Sequence, residues 1–132
     1  PGGNIFIGEG SNIQDNTIID SGEKSLVIGK KVTVGHNVRL GACSIGDNCL
    51  IGMGCTIEDD VVIEEDAFVG ARAIVKTGTI VKANTIYAGR PASYFRDVKT
   101  EEANFFQMGQ KIYEKFAEDY IKELGTYKVR IN

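Results

Sequence analysis

From Ile5 onward the chain repeats a six-residue unit: an aliphatic residue, a small or acidic one, two polar ones, a small one and a filler. The unit reads Ile7-Gly8, Ile13-Gln14, Ile19-Asp20, Ile28-Gly29, Val34-Gly35 and Leu40-Gly41, and continues from Ile45-Gly46 and Ile51-Gly52 to Val81-Lys82 and Tyr87-Ala88. A fixed short period constrains the fold more than any single residue does. Six residues describe one flat side of a triangular β-helix, so about eighteen make one coil, and stacked coils bury one another's aliphatic rows. A Gly, Asp or Glu directly after the aliphatic residue is expected to serve the corner, where the backbone turns and sometimes needs φ > 0.

The repeat breaks twice. Ile19 to Ile28 is nine residues, which predicts a loop at Ser21-Gly22-Glu23-Lys24-Ser25, and Leu40 to Ile45 is five, a one-residue deletion. After Gly89-Arg90-Pro91 the period changes. Thr100 is expected to cap a helix whose first turn carries Glu101 and Glu102. Phe105, Met108, Ile112, Phe116, Tyr120 and Leu124 then recur at three- and four-residue spacing, up to a stop at Gly125. The expected organisation is a β-helix over 1–92, a connector at 93–99, an amphipathic helix over 100–125 along one flank, and a tail at 126–132.

Composition removes several function classes. The 132 residues carry a net charge of −3, no Trp and no basic block, so nothing supports nucleic-acid binding. No apolar run approaches the ~20 residues of a transmembrane helix, and no signal peptide is visible. Cys43, Cys49 and Cys55 sit six apart. That spacing puts them on different sides of the triangle, as buried fillers in a reducing compartment and not as a disulfide or metal set. Glu58-Asp59-Asp60 and Glu64-Glu65-Asp66 also fall on separate sides and read as solvated surface.

Several stretches together carry a resemblance: Asn12-Ile13-Gln14-Asp15-Asn16-Thr17-Ile18-Ile19, Val34-Gly35-His36, Cys43 through Gly54, and Gly89-Arg90-Pro91-Ala92. With the acidic helix start, the chain resembles the γ-class carbonic anhydrases over nearly its whole length. The resemblance implies an all-β solenoid, a left-handed parallel β-helix with a C-terminal α-helix packed alongside, assembled as a trimer. In catalytic relatives three histidines hold a divalent metal between two subunits. The positions that match them here are Asp20, His36 and Gly41, so two of three histidines are replaced. Gln14 matches the family's polar residue that orients water or bicarbonate near the metal, and its plain alternative is an interface hydrogen bond.

Ile19 and Leu40 are one full coil apart, so Asp20 and Gly41 are expected to stack on one side while His36 faces elsewhere. A hydrolytic zinc site needs about three protein ligands and an open position for water. A homotrimer of this chain offers only Asp20, a weak candidate, and a neighbour's His36; Gly41 has no donor atom. The leading expectation is therefore a structural γ-carbonic-anhydrase-like subunit that holds no metal firmly by itself, with Zn, Fe or Co bound only at an interface to which it lends His36. It leans away from being an enzyme. Related chains of the family form a heterotrimeric domain on mitochondrial respiratory complex I, so the resemblance implies a homotrimer or heterotrimer, and a mitochondrial matrix location in a eukaryote or a cytoplasmic one otherwise. The alternative is a homotrimeric metal-dependent carbonic anhydrase with Asp20 in place of a histidine. Acyl transfer, common among six-residue-repeat proteins, is a third class; it usually uses a catalytic His, and this chain has one His only.

Overall fold

The computed structural model describes residues 3–109 and 130–131, and within them the repeat folds as a parallel β-helix with three sheets. Sheet 1 stacks β1 (Ile5–Ile7), β4 (Leu26–Ile28), β7 (Ser44–Ile45), β10 (Val62–Ile63) and β13 (Ile80–Val81). Sheet 2 runs from β2 (Asn12–Ile13) through β5 (Thr33–Val34), β8 (Leu50–Ile51) and β11 (Phe68–Val69) to β14 (Thr85–Gly89) and β15 (Ala92–Asp97). Sheet 3 holds β16 (Arg130–Ile131), β3 (Ile18–Ile19), β6 (Arg39–Leu40), β9 (Thr56–Ile57) and β12 (Ile74–Val75). The chain visits sheets 1, 2 and 3 in rotation from β1 to β14, and each strand from β1 to β11 pairs in parallel with the one a coil later.

The aliphatic residue of each unit points inward. Ile28, Val34, Leu40, Ile45, Ile51, Ile57, Ile63, Val69, Val75 and Val81 are all buried, and they pack as one continuous core. Ile7, expected inward as well, is 47% exposed. It pairs with Ile28 on one side, and β1 is the end of its sheet, so no rung beneath covers it. From Thr17 to Ala73 the residue two before the aliphatic is buried too, and this is where Cys43, Cys49 and Cys55 sit, one entering each sheet of a single coil. All three are free thiols.

The corners correct one expectation. The residue directly after the aliphatic does not take positive φ; the third residue after it does, as at Asn16, Lys31, Asn37, Asn48, Asp60, Asp66, Arg72 and Asn84, with φ from 56° to 63°. Asn and Asp tolerate the left-handed region best, which accounts for their prevalence there. The glycines directly after the aliphatic serve close approach between coils. A Cβ on Gly52 would sit 2.7 Å from the amide nitrogen of Ala71 on the next coil.

Both irregularities lie at the corner from sheet 3 to sheet 1: the turn at 21–25, between β3 and β4, and the short step from β6 to β7, closed by a Cys43 N–H to Gly41 C=O bond of 2.9 Å. The stretch expected to be a plain connector, 93–99, is mostly β15, which folds back antiparallel on β14 and closes the end of sheet 2. A helix follows, α1, described over 100–109. Its first intrahelical bond runs from Ala103 N–H to the carbonyl of Lys99, which makes Lys99 and not Thr100 the cap residue. Glu102 supplies what a Thr side chain would not: it accepts the Lys99 N–H at 2.9 Å, the return half of a capping box. Residues 110–125 of the expected helix lie outside the described residues. In the expected tail, Arg130 and Ile131 pair with Ile18 and Ile19 as β16.

Candidate functional site

The stacking expected of Asp20 and Gly41 is present. Ile19 pairs with Leu40, and the Asp20 N–H donates to the Leu40 carbonyl at 2.8 Å, so the residues that follow lie on neighbouring rungs at the exit of sheet 3. His36 is exposed in the turn from β5 to β6, at the opposite edge of that sheet. One chain therefore does not bring His36 to Asp20 and Gly41. Among the described residues no three of His, Cys, Asp and Glu gather as a metal-ligand group.

Asp20 and Gly41 border a depression of about 430 Å³ on sheet 3, together with Arg39, Thr56, Glu58 and Thr77. Sequence reasoning missed Arg39. It stands outward on sheet 3, one rung from Ile18, and its Nη2 lies 2.6 Å from Oδ2 of Asp20. The signal was an opposite charge at the outward position of the adjacent rung, which a one-coil offset could have revealed. This guanidinium engages one of the two carboxylate oxygens, Oδ2, in a partly exposed pair.

Gly41 is equally committed. A Cβ there would lie 2.5 Å from Oδ1 of Asp59 and 2.9 Å from the Asp59 amide nitrogen. That same Oδ1 accepts the Ala42 N–H at 2.7 Å, so Asp59 closes the corner through the space a ligand at 41 would use. The residues present do not fit a three-ligand zinc centre within one chain: one position lacks a donor, its space is occupied, and the carboxylate beside it is paired.

The acidic triplets, read as solvated surface, contribute hydrogen bonds as well. Glu58 Oε1 accepts the Thr77 N–H at 2.9 Å, which is the first cause holding its carboxyl below the usual range, and Glu64 Oε1 accepts the Ala83 N–H at 3.0 Å. Each ties a turn on the following coil to its own.

Gln14 lies away from this depression, on sheet 2. Its Nε2 is 3.4 Å from Oδ1 of Asn12, and Asn12 reaches Thr33 Oγ1 at 3.4 Å, a short polar row along the sheet. Gln14 also borders an apolar groove of about 660 Å³ between sheet 2 and α1, with Leu50, Met53, Phe68, Phe105 and Phe106. Two contacts fix the helix there: Phe106 edge-on to Phe68 with centroids 5.3 Å apart, and Arg96 gripping Glu102 through its Nη1 and Nη2 at 2.6 and 2.7 Å. Hydrogen bonds from Arg96 and from the Lys99 amide hold the Glu102 carboxyl at about 2.

The cysteines are chemically quiet. Burial pushes the Cys43 and Cys49 thiols up to about 12. The Cys49 and Cys55 S–H groups donate to the carbonyls of Glu64 at 3.1 Å and Gly70 at 2.9 Å on the next coil.

Comparison with known proteins agrees with the repeat and the fold. The bacterial transferase hexapeptide (six repeats) family matches residues 25–59 and 42–77. The chain is 46% identical over 126 residues to "Gamma carbonic anhydrase 3, mitochondrial" of Arabidopsis thaliana, covering 90% of this chain and 49% of that protein. It is 34% identical over 127 residues to "Gamma carbonic anhydrase 2, mitochondrial" of the same plant, covering 91% and 46%. The chain thus spans about half the length of the curated relatives it matches. Among solved structures, a hexapeptide transferase family protein from Anaplasma phagocytophilum is 39% identical, covers 86% of this chain and 68% of its own, and superposes with a TM-score of 0.80.

Proposed function

This chain belongs to the hexapeptide-repeat family as a γ-carbonic-anhydrase-like member, and from that premise we propose that it is a structural subunit of a trimer with an incomplete metal site. The observation that carries the reading is the pairing of Asp20 with Arg39 beside a donorless, space-filled Gly41. Three ligands and an open position are what a hydrolytic zinc centre requires, and this side of the interface offers at most Asp20, whose Oδ2 is already paired with Arg39. His36 is different. It is exposed in a turn at the far edge of sheet 3, where its imidazole is available to a neighbour that keeps its own histidine pair.

A heterotrimer with such chains is the assembly this reading calls for, and a mitochondrial setting is what the curated relatives' names support; attachment to respiratory complex I rests on the family resemblance alone. The alternative of a homotrimeric carbonic anhydrase built on Asp20 would have to bind its metal through a carboxylate already paired with Arg39 through Oδ2.

Reconstitution tests the proposal. The chain is refolded with a γ-class chain that keeps both missing histidines, and zinc is counted in the mixed trimer. The expected result is zinc in the mixed assembly that is lost when His36→Ala is introduced here. Zinc retained unchanged with His36→Ala removes His36 from the site. A carbonic anhydrase rate from the pure chain supplied with Zn, Co or anaerobic Fe(II) overturns the structural reading.

A further inference from the structure

The outer face of sheet 1 carries one side chain per rung, and the registers Phe6↔Val27, Val27↔Ser44, Ser44↔Val62 and Val62↔Ile80 align them in a single row. Phe6 is 55% exposed, Val27 42%, Val62 39% and Ile80 47%, with Ser44 the one polar member. At the usual strand spacing the row is about 19 Å long. Among the described residues α1 lies against sheet 2 and not against this face. An aligned apolar row, interrupted only at Ser44, is a candidate docking surface, because contiguous exposed apolar patches mark interaction sites whereas singly scattered residues do not.

Charge identifies what fits. Residues 43–71 contain seven acids and no Lys or Arg. Every one of those acids lies at a corner bordering sheet 1: Asp47 and Glu64-Glu65-Asp66 in the turns leaving β7 and β10, and Glu58-Asp59-Asp60 in the turn that leads from β9 to β10. The lysines of the same corners, Lys24, Lys30, Lys31, Lys76 and Lys82, lie toward the two ends of the row, and Lys24 reaches in to pair with Asp60 at 3.1 Å. Val27 and Val62, with Ser44 between them, therefore run beside one line of carboxylates, Asp47 and Glu64-Glu65-Asp66, at the corner toward sheet 2; in the opposite corner Glu58 and Asp59 line the depression on sheet 3, and Glu58 and Asp60 pair with Lys76 and Lys24.

A second copy of this chain docking face to face would set carboxylates against carboxylates, since a two-fold contact uses the same patch twice. We infer that the outer face of sheet 1 docks an amphipathic helix of a different protein, one whose apolar stripe covers Val27, Val62 and Ile80 while lysines or arginines on one flank meet Asp47, Glu64, Glu65 and Asp66 at the corner toward sheet 2. This is the helix-on-surface mode of recognition, with anchors at three- and four-residue spacing. The inference stands apart from the metal-site reading, which concerns sheet 3.

The test uses a defined probe. A helical peptide of about fifteen residues, roughly 22 Å long, carries a leucine stripe with lysines along one flank; a control replaces the lysines with glutamates. Binding to the chain is followed by fluorescence anisotropy at low and high salt, with the assembly's mass measured alongside. The lysine peptide is expected to bind, the glutamate peptide is not, and affinity is expected to fall at least tenfold at high salt. Val62→Ser with Ile80→Ser removes the stripe's seat, and Glu65→Lys with Asp66→Asn reverses charge on the acidic flank while keeping a residue that tolerates positive φ. Each pair is expected to weaken binding at least tenfold and leave the mass unchanged. Equal binding of the two peptides, indifference to both pairs of substitutions, or a change of oligomer mass with Val62→Ser and Ile80→Ser, which would make the face a contact between copies, overturns the inference.

Discussion

Ile51→Ala is expected to destabilise this protein more than Ile13→Ala, although both delete the same three carbons from the same inward row of sheet 2. Transfer alone costs about 0.8 kcal/mol per carbon, roughly 2.4 kcal/mol in each case. The difference comes from what surrounds the hole. Ile51 is 0% exposed and lies between rungs on both sides, paired with Val34 below and Val69 above. A cavity there is walled on every side by neighbouring rungs and adds its own cost, which brings the expected loss to about 4 kcal/mol. Ile13 is 8% exposed, and β2 ends its sheet with a partner only at β5. The open side can relax, so the expected loss stays near 2 kcal/mol. In a solenoid, where each repeat contacts only its neighbours, a central defect also uncouples the coils above from those below. Urea unfolding of both variants at one fixed protein concentration gives the two losses from midpoint and slope. An Ile13→Ala loss equal to or greater than that of Ile51→Ala refutes the rung-by-rung account.

The clamp on α1 makes a prediction about pH. Glu102 titrates at about 2 in the folded chain, below its unfolded value, so its contribution is fully present above pH ~4.3 and is lost as pH falls through about 2; Glu102→Gln should flatten the stability profile across that window, and an unchanged acid profile would argue against the clamp. Cys43 and Cys49, raised to about 12 by burial, should resist a thiol reagent at pH 8 in the native chain and react after unfolding in urea, whereas prompt native labelling would place them outside the core. Gly52→Ala sets a Cβ 2.7 Å from the Ala71 nitrogen and should cost about 1–3 kcal/mol through overpacking, read as a lower midpoint in thermal unfolding; a neutral outcome would mean that the coils can part there easily.

Much of this architecture was legible in the sequence because one short-range rule, the six-residue period, sets both the strand and its register. The aliphatic rows, the corner at 21–25, the short step from Leu40 to Ile45 and the dispersal of the three cysteines all follow from counting. What was not legible depends on neighbours one coil away. The glycines after the aliphatic residues look like turn residues, yet their reason is the backbone of the next coil, and the left-handed position falls two residues later. Lys99 became the helix cap because Glu102 reaches back to its N–H, while Thr100 looks like the better candidate by residue type. β15 was hidden because an antiparallel return follows no six-residue count. The candidate site was half visible: the stacking of Asp20 on Gly41 came from the period, whereas Arg39 and Asp59, which fill that site, required the contacts themselves.

The measurement that bears most directly on the central claim is metal content by elemental analysis on the chain purified alone without chelator. Occupation of Asp20 by Arg39 and of the space beside Gly41 by Asp59 predicts far less than one zinc, iron or cobalt per trimer. One tightly held ion per subunit, retained through dialysis, would show that this chain completes a metal centre unaided and would contradict the account.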